Sequence, residues 1–182
     1  MTSTPLELED SESSAVGLFL QAPSPGSYAP VFRLFAPRLV RYFRLRGCAV
    51  HLAEDLVQEV MLAVFRQAHL LRSHESFRAW IYRIARNAHL MHLRRAGRSA
   101  GTVEIDGLQD HLPVSGPDGY LRSLLRQSLA ALDPLSRRIL ALRYIDGLEY
   151  HEISTVLDMP MGTVQWRVFQ CKKKLARMMK GV

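Results

Sequence analysis

The segment LEYHEISTVLDMPMGTVQWRVFQCKKKLARMM, residues 148–179, leaves this chain little freedom of fold. Its apolar residues repeat at helical spacing on both sides of Asp158-Met159-Pro160. The proline cannot continue the first helix, so the pattern predicts a helix of about nine residues, a tight turn and a longer helix. That spacing is the arithmetic of a helix-turn-helix. Upstream, Asp133-Pro134 predicts a helix start, because Asp caps free backbone N–H groups and proline at the first helical position gives up no needed donor. The helix LSRRILALRYI should then stop at Asp146-Gly147.

With an advance of about 100° per residue and Val164 at zero, Val168, Cys171 and Leu175 fall near 40°, 340° and 20°, which makes them the core stripe of the last helix. Gln165, Phe169, Lys173 and Trp166 fall at roughly 100°, 140°, 180° and 200°. Large rings on an exposed face usually have a partner. On a recognition helix they fit thymine methyls and sugars, with Gln165 reading a base edge and Arg167, Lys172, Lys173 and Lys174 addressing phosphates. The competing reading packs Trp166 against a neighbouring helix or loop.

Charge then divides the chain. The 182 residues carry a formal +7, which favours a polyanionic partner. By position, residues 1–28 sum to −4, residues 29–96 to +8, residues 97–118 to −3 and residues 119–182 to +6. Gly, Pro and Ser collect in the acidic blocks, in QAPSPGS and AGRSAGTVEIDGLQDHLPVSGPDG, and neither stretch reads as helix. An unstructured connection as long as the second is rare inside one domain, so it reads as a linker between domains. The expected organisation is all-α: a flexible acidic tail over 1–27, a helical domain over 28–96, an acidic linker over 97–118 and a second helical domain over 119–182. No apolar run approaches the roughly 20 residues of a membrane span. The amino terminus has no secretory pattern, and two cysteines, Cys48 and Cys171, suit a reducing compartment, so a cytoplasmic location is expected.

In the first domain, Val31, Phe32, Phe35, Leu39, Tyr42 and Phe43 predict an amphipathic helix from Tyr28 to about Leu45, ended near Gly47. A second helix is expected over 51–71, with Leu52, Leu56, Val60 and Val64 as its stripe. Glu54, Asp55, Gln58 and Glu59 gather in its first turns, where acidic residues suit the helix dipole whether they serve a partner or only solvent. A third helix, FRAWIYRIARNAHLMHLRR, is expected after Ser76 as N-cap. Its Trp80, Ile81, Ile84, Ala85 and Ala88 can cover a core, while Arg78, Arg83, Arg86, Asn87, Arg94 and Arg95 interleave with the rings of Phe77, Trp80 and Tyr82. Cations for phosphates and rings for stacking fit strand-separated DNA, at about 1–3 kcal/mol per stacked base, although Phe77 and Tyr82 also read as ordinary core aromatics.

The order of these motifs resembles bacterial RNA polymerase sigma factors of the extracytoplasmic-function (ECF) group, and nearly the whole chain after residue 28 takes part. AEDLVQEVMLAVFR resembles the region 2 helix that binds the clamp helices of the largest polymerase subunit. SFRAWIYRIARNAHLMHLRR resembles the element that melts and reads the promoter minus-10 region. LAALDPLSRRILALRYIDGLEYHEISTVLDMPMGTVQWRVFQCKKKL resembles region 4, which reads the minus-35 element and touches the flap of the second-largest subunit.

The resemblance implies core-polymerase contact by Asp55, Gln58 and Glu59, and minus-10 contact by Trp80, Arg83, Arg86, Asn87 and Arg94. It implies minus-35 contact by Arg143, Thr163, Gln165, Trp166, Arg167, Phe169, Lys172 and Lys173, and an anti-sigma partner. The acidic linker would follow a nucleic-acid path through the polymerase; on composition alone a plain tether fits as well. The chain departs from the family pattern at Met91, where an acidic or amide residue is common, and at Gln165-Trp166, which replaces a basic-serine pair. It departs again at Ser154 and Asp158, where alanine and glycine are common.

Two other classes account for less of the sequence. A sequence-specific regulator with a ligand-binding or receiver first domain would explain only the carboxy-terminal third. For an enzyme, His151-Glu152 begins an HExxH pattern that Thr155 breaks, and no phosphate loop or GxSxG occurs. His89 and His92 share a helix face without a third ligand. No catalytic residue, metal or cofactor is expected. Cys171 should be buried in its stripe, and Cys48, beside Gly47, could be exposed.

Overall fold

Short capping signals set the helix frame. A computed structural model describes residues 5–71, 76–97 and 119–180, and among these there is no strand. The first half comprises α1 (Pro5–Gln21), α2 (Pro25–Arg44), α3 (Val50–Gln67) and α4 (Phe77–Arg95), with one 3-10 turn, Ala68–Leu70, after α3. The second comprises α5 (Gly119–Ala130), α6 (Pro134–Tyr144), α7 (Tyr150–Leu157) and α8 (Met161–Lys180). The chain is thus all-α, as the periodicity implies.

Asp133 caps α6 as expected, accepting from the Ser136 N–H at 3.0 Å. Burial works against its charge, but the cap bonds and the Arg167 guanidinium hold its carboxyl below the usual range. Gly47 and Gly147, with φ of 77° and 73°, end the segments after α2 and α6 in a conformation that costs other residues a Cβ clash. At the α7–α8 turn Asp158 adopts the left-handed conformation, φ 55° and ψ 53°, and its N–H bonds the Ser154 carbonyl. Ser154 Oγ donates to the Met159 carbonyl at 2.6 Å. Both departures from the usual alanine and glycine therefore serve the turn: the serine satisfies one of its carbonyls, and Asp tolerates the left-handed region at modest cost.

Three expectations need correction. Residues 5–21 are helix, where composition suggested a flexible tail, and QAPSPGS is a helix junction. Ser24 Oγ accepts from the Ser27 N–H at 3.2 Å while the Ser24 N–H donates to Ser27 Oγ at 3.0 Å, and Pro25 occupies the first turn. The Ser and Pro that looked like breakers are start signals. Ser76 precedes α4 but its side chain makes no cap bond. Cys48 is 4% exposed, and burial pushes its thiol upward, against the pull of Arg46 and Arg44. The linker over 98–118 lies outside the described residues.

Ala15, Val16 and Phe19 of α1 join the core of α2, α3 and α4. Phe19 and Phe65 flank the Tyr28 ring at centroid distances of 5.6 and 5.2 Å, and Tyr28 Oη donates to the Met61 carbonyl at 2.9 Å. α2 carries Pro30 and Pro37 in its interior, each removing a helical donor. Its buried face of Val31, Phe35, Leu39, Tyr42 and Phe43 holds the helix in place by packing.

The two halves meet where α4 packs on α7 and α2 reaches the α6–α7 loop. Arg41 Nη2 donates to Asp146 Oδ1 and to the Ile145 carbonyl, both at 3.0 Å. Arg78 donates through Nη1 to the Gly147 carbonyl at 2.9 Å and through Nε to Glu12 Oε1 at 3.0 Å. Glu12 also pairs with Arg38. A carboxylate in α1 and a loop in the second half are thus joined through α4.

Candidate nucleic-acid interface

The last helix presents the face that its sequence predicts. Val164, Val168 and Cys171 are buried and Leu175 is partly buried. Trp166 and Phe169 are 59% and 61% exposed, and Gln165, Lys172 and Lys173 share their exposure. Among the described residues no helix or loop covers the Trp166 indole.

The other residues expected to contact the minus-35 element lie around this face. Thr163 is half-buried in the first turn of α8. Lys172 Nζ stands 5.4 Å from the Tyr144 ring centroid. Arg143 Nη1 donates to the Leu148 carbonyl at 2.9 Å and to Glu149 Oε1 at 2.7 Å, which fixes the α6–α7 loop. Arg167 turns inward, with Nη1 3.5 Å from Asp133 Oδ1 and 3.4 Å from Ser136 Oγ. It ties the recognition helix to the capped start of α6.

On α4, with Trp80 at zero, Arg83, Asn87 and Arg94 fall near 300°, 340° and 320°, a stripe about 60° wide. Arg83, Asn87 and Arg94 are exposed, as is Met91 at the edge of the stripe. Trp80 is 7% exposed, packed with its centroid 5.7 Å from that of Phe77. Tyr82 and Phe77 are also buried, as the core reading of those rings has it. Arg86 stands apart from the stripe, half-buried toward the second half of the chain. On α3, Asp55, Gln58 and Glu59 are all exposed, on the side opposite Leu56, Val57 and Val60.

The enzyme-like fragment dissolves into local structure. Glu152 is buried and its Oε2 accepts from the Glu149 N–H at 2.7 Å, closing the start of α7. Among the described residues no three His, Cys, Asp or Glu side chains are placed to hold a metal ion. Sequence reasoning missed the arginines that join the halves, Arg41 and Arg78, and the role of Glu12. Their partners are far away in the chain, and periodicity carries no signal of such pairs.

A helix-turn-helix with exposed rings on its last helix, beside a second helix with a basic stripe, defines an all-α DNA-binding protein of two modules. Residues 31–99 match the family model for sigma-70 region 2, and residues 122–175 match that for sigma-70 region 4. The chain belongs to the sigma-70 family, in its ECF group. It is 33% identical over 166 residues to the ECF RNA polymerase sigma factor SigE of Mycolicibacterium smegmatis, covering 85% of this chain and 62% of that one. To the ECF RNA polymerase sigma-E factor of Escherichia coli K12 it is 28% identical over 134 residues, 66% of this chain and 70% of the relative.

Two solved structures share the fold. CnrH in complex with the cytosolic domain of CnrY matches with a TM-score of 0.62 at 20% identity, over 94% of this chain and 99% of that one. RpoE of Bartonella quintana, in complex with the anti-sigma factor NepR, matches with a TM-score of 0.59 at 20% identity, over 84% and 96%. Among the described residues no helix is long and apolar enough to cross a membrane.

Proposed function

We propose that this chain is a sigma factor that binds core RNA polymerase, recognises promoter minus-10 and minus-35 elements, promotes opening of the duplex and directs transcription initiation. The observation that carries the reading is the pairing of region 2 and region 4, in that order, with α8 presenting Gln165, Trp166 and Phe169 to solvent. Region 2 is assigned to residues 28–96 and region 4 to residues 119–182, with the acidic linker between them.

In this reading α8 enters the minus-35 major groove. Gln165, Trp166 and Phe169 meet base edges and methyls, Thr163, Arg143, Lys172 and Lys173 meet phosphates, and Arg167 backs the helix. Arg83, Asn87 and Arg94 lie along the minus-10 strand, with Arg86 and Trp80 beside them. Asp55, Gln58 and Glu59 meet the clamp helices of the largest subunit.

An apolar cavity of about 180 Å³, lined by Leu125, Leu129, Leu140, Tyr144 and Leu175, suits the flap of the second-largest subunit. An anti-sigma protein is the expected antagonist, and the place of action is the cytoplasm. The chain itself performs no catalysis.

The test is reconstituted transcription. Purified chain added to core polymerase on a pool of genomic fragments should give new, mapped start sites that neither component gives alone. Strong binding to duplex DNA without core polymerase, and no core-dependent initiation, would instead make it an autonomous regulator.

A further inference from the structure

A second cavity, of about 190 Å³, lies between the two halves. Arg46, Arg86 and His89 line it from the first half, Arg138 lines it from α6, and Leu93 and Leu157 form apolar walls. Among the described residues no carboxylate lines it. Arg46 is 4% exposed, its guanidinium stacks 3.3 Å from the Tyr42 ring centroid, and Nη1 donates to the Tyr42 carbonyl at 2.8 Å. Among the described residues its Nη2 is buried without a partner, and so is Nε of Arg138. Asp146 acts on Arg46 at longer range but is bonded through Oδ1 to Arg41.

Three guanidinium groups and an imidazole gathered around one cavity, with no carboxylate among its described lining residues, repel one another. The crowding registers on its members. Burial, then Arg46 and Arg138, and then His92, lower His89 to about 4, and burial followed by Arg46 and Arg86 lowers Arg138 while Tyr42 opposes. An anion with several acceptor oxygens in the cavity would offset that repulsion. Guanidinium forks match the geometry of a phosphate, and a cavity of about 190 Å³ holds one with several waters.

We propose that this cavity is a binding site for a phosphate group, free or carried on a small metabolite, which Arg46, Arg86 and His89 hold from one half and Arg138 from the other. Because the ligand touches both halves, its binding clamps them together.

The experiment uses the full chain at constant ionic strength, with inorganic phosphate replacing chloride. At phosphate ten-fold above its dissociation constant the melting temperature should rise by about 3–6 °C. Amide exchange should slow in α4 and α6 together. Arg138→Gln and Arg86→Gln, both at half-buried positions, should fold and lose the response, so the test does not depend on an Arg46 variant folding. An equal response to chloride, or variants that respond like the parent, would overturn the site. A short single-stranded oligonucleotide forms the second arm. If it binds through Arg86 and Arg138 while phosphate does not, the cavity serves the DNA backbone and the small-ligand proposal falls.

Discussion

The Asp146 carboxylate sits 3.0 Å from the Arg41 guanidinium, 105 residues earlier in the chain, with its side chain 1% exposed. Burial raises its carboxyl above the usual range even though Arg41 opposes. Breaking a buried pair leaves its partner uncompensated, and because Arg41 keeps some solvent access the penalty is reduced. Asp146→Ala should therefore cost about 1–3 kcal/mol, read as a lower denaturant midpoint. A midpoint at the parent value would mean that the pair does not hold the α6–α7 loop against α2.

Trp166 contributes little to folding, since its indole stands in solvent. Trp166→Ala should leave the melting temperature within the range of an ordinary surface change, about 0.5 kcal/mol. In the holoenzyme it should weaken promoter binding by roughly 1–3 kcal/mol, the scale of one lost base contact. Unchanged promoter affinity and unchanged start sites would remove Trp166 from the reading set.

Charge reversal at α3 separates assembly from folding in the same way. Asp55 and Glu59 are exposed and neighbours on the helix face. The double variant Asp55→Arg with Glu59→Arg should retain the helical spectrum and lose about 10- to 100-fold in competition for core polymerase. Competition at the parent level would place the polymerase contact elsewhere.

His89 predicts a pH dependence. Its imidazole is buried beside Arg46 and Arg138, with His92 following, and it takes up a proton only near 4 instead of 6.5. Between those values the unfolded chain binds a proton that the folded chain refuses, so stability is full above 6.5 and falls as the pH drops toward 4. Denaturation midpoints across that window should decline in the parent and decline less in His89→Gln. Parallel curves would show that other groups carry the acid sensitivity.

What was legible in the sequence was local. Asp133-Pro134, Asp158 and the 164/168/171/175 stripe each place their own turn or face, and the structure follows them. The amino-terminal helix was hidden by its composition: acidic and serine residues outnumber Ala15, Val16 and Phe19, whose stripe gains value only from Tyr28, Phe65 and α2 around it. Trp80 was legible both as a core-covering residue and as an aromatic within a basic helix, but its particular neighbour, Phe77, was not. Cys48 looked like a turn residue, and its burial depends on helices closing over the turn.

The bridge from Glu12 through Arg78 to Gly147 also orders the life of the nascent chain. Glu12, Arg38 and Arg78 all leave the ribosome before the α6–α7 loop exists, so the amino-terminal half can form its own ion pairs first. Until that loop is made, Arg78 Nη1 and Arg41 Nη2 lack the α6–α7 partners they bond in the folded chain. A newly made chain therefore has the carboxylate that pairs Arg38 and Arg78 to hand before the helix-turn-helix that α4 will carry exists.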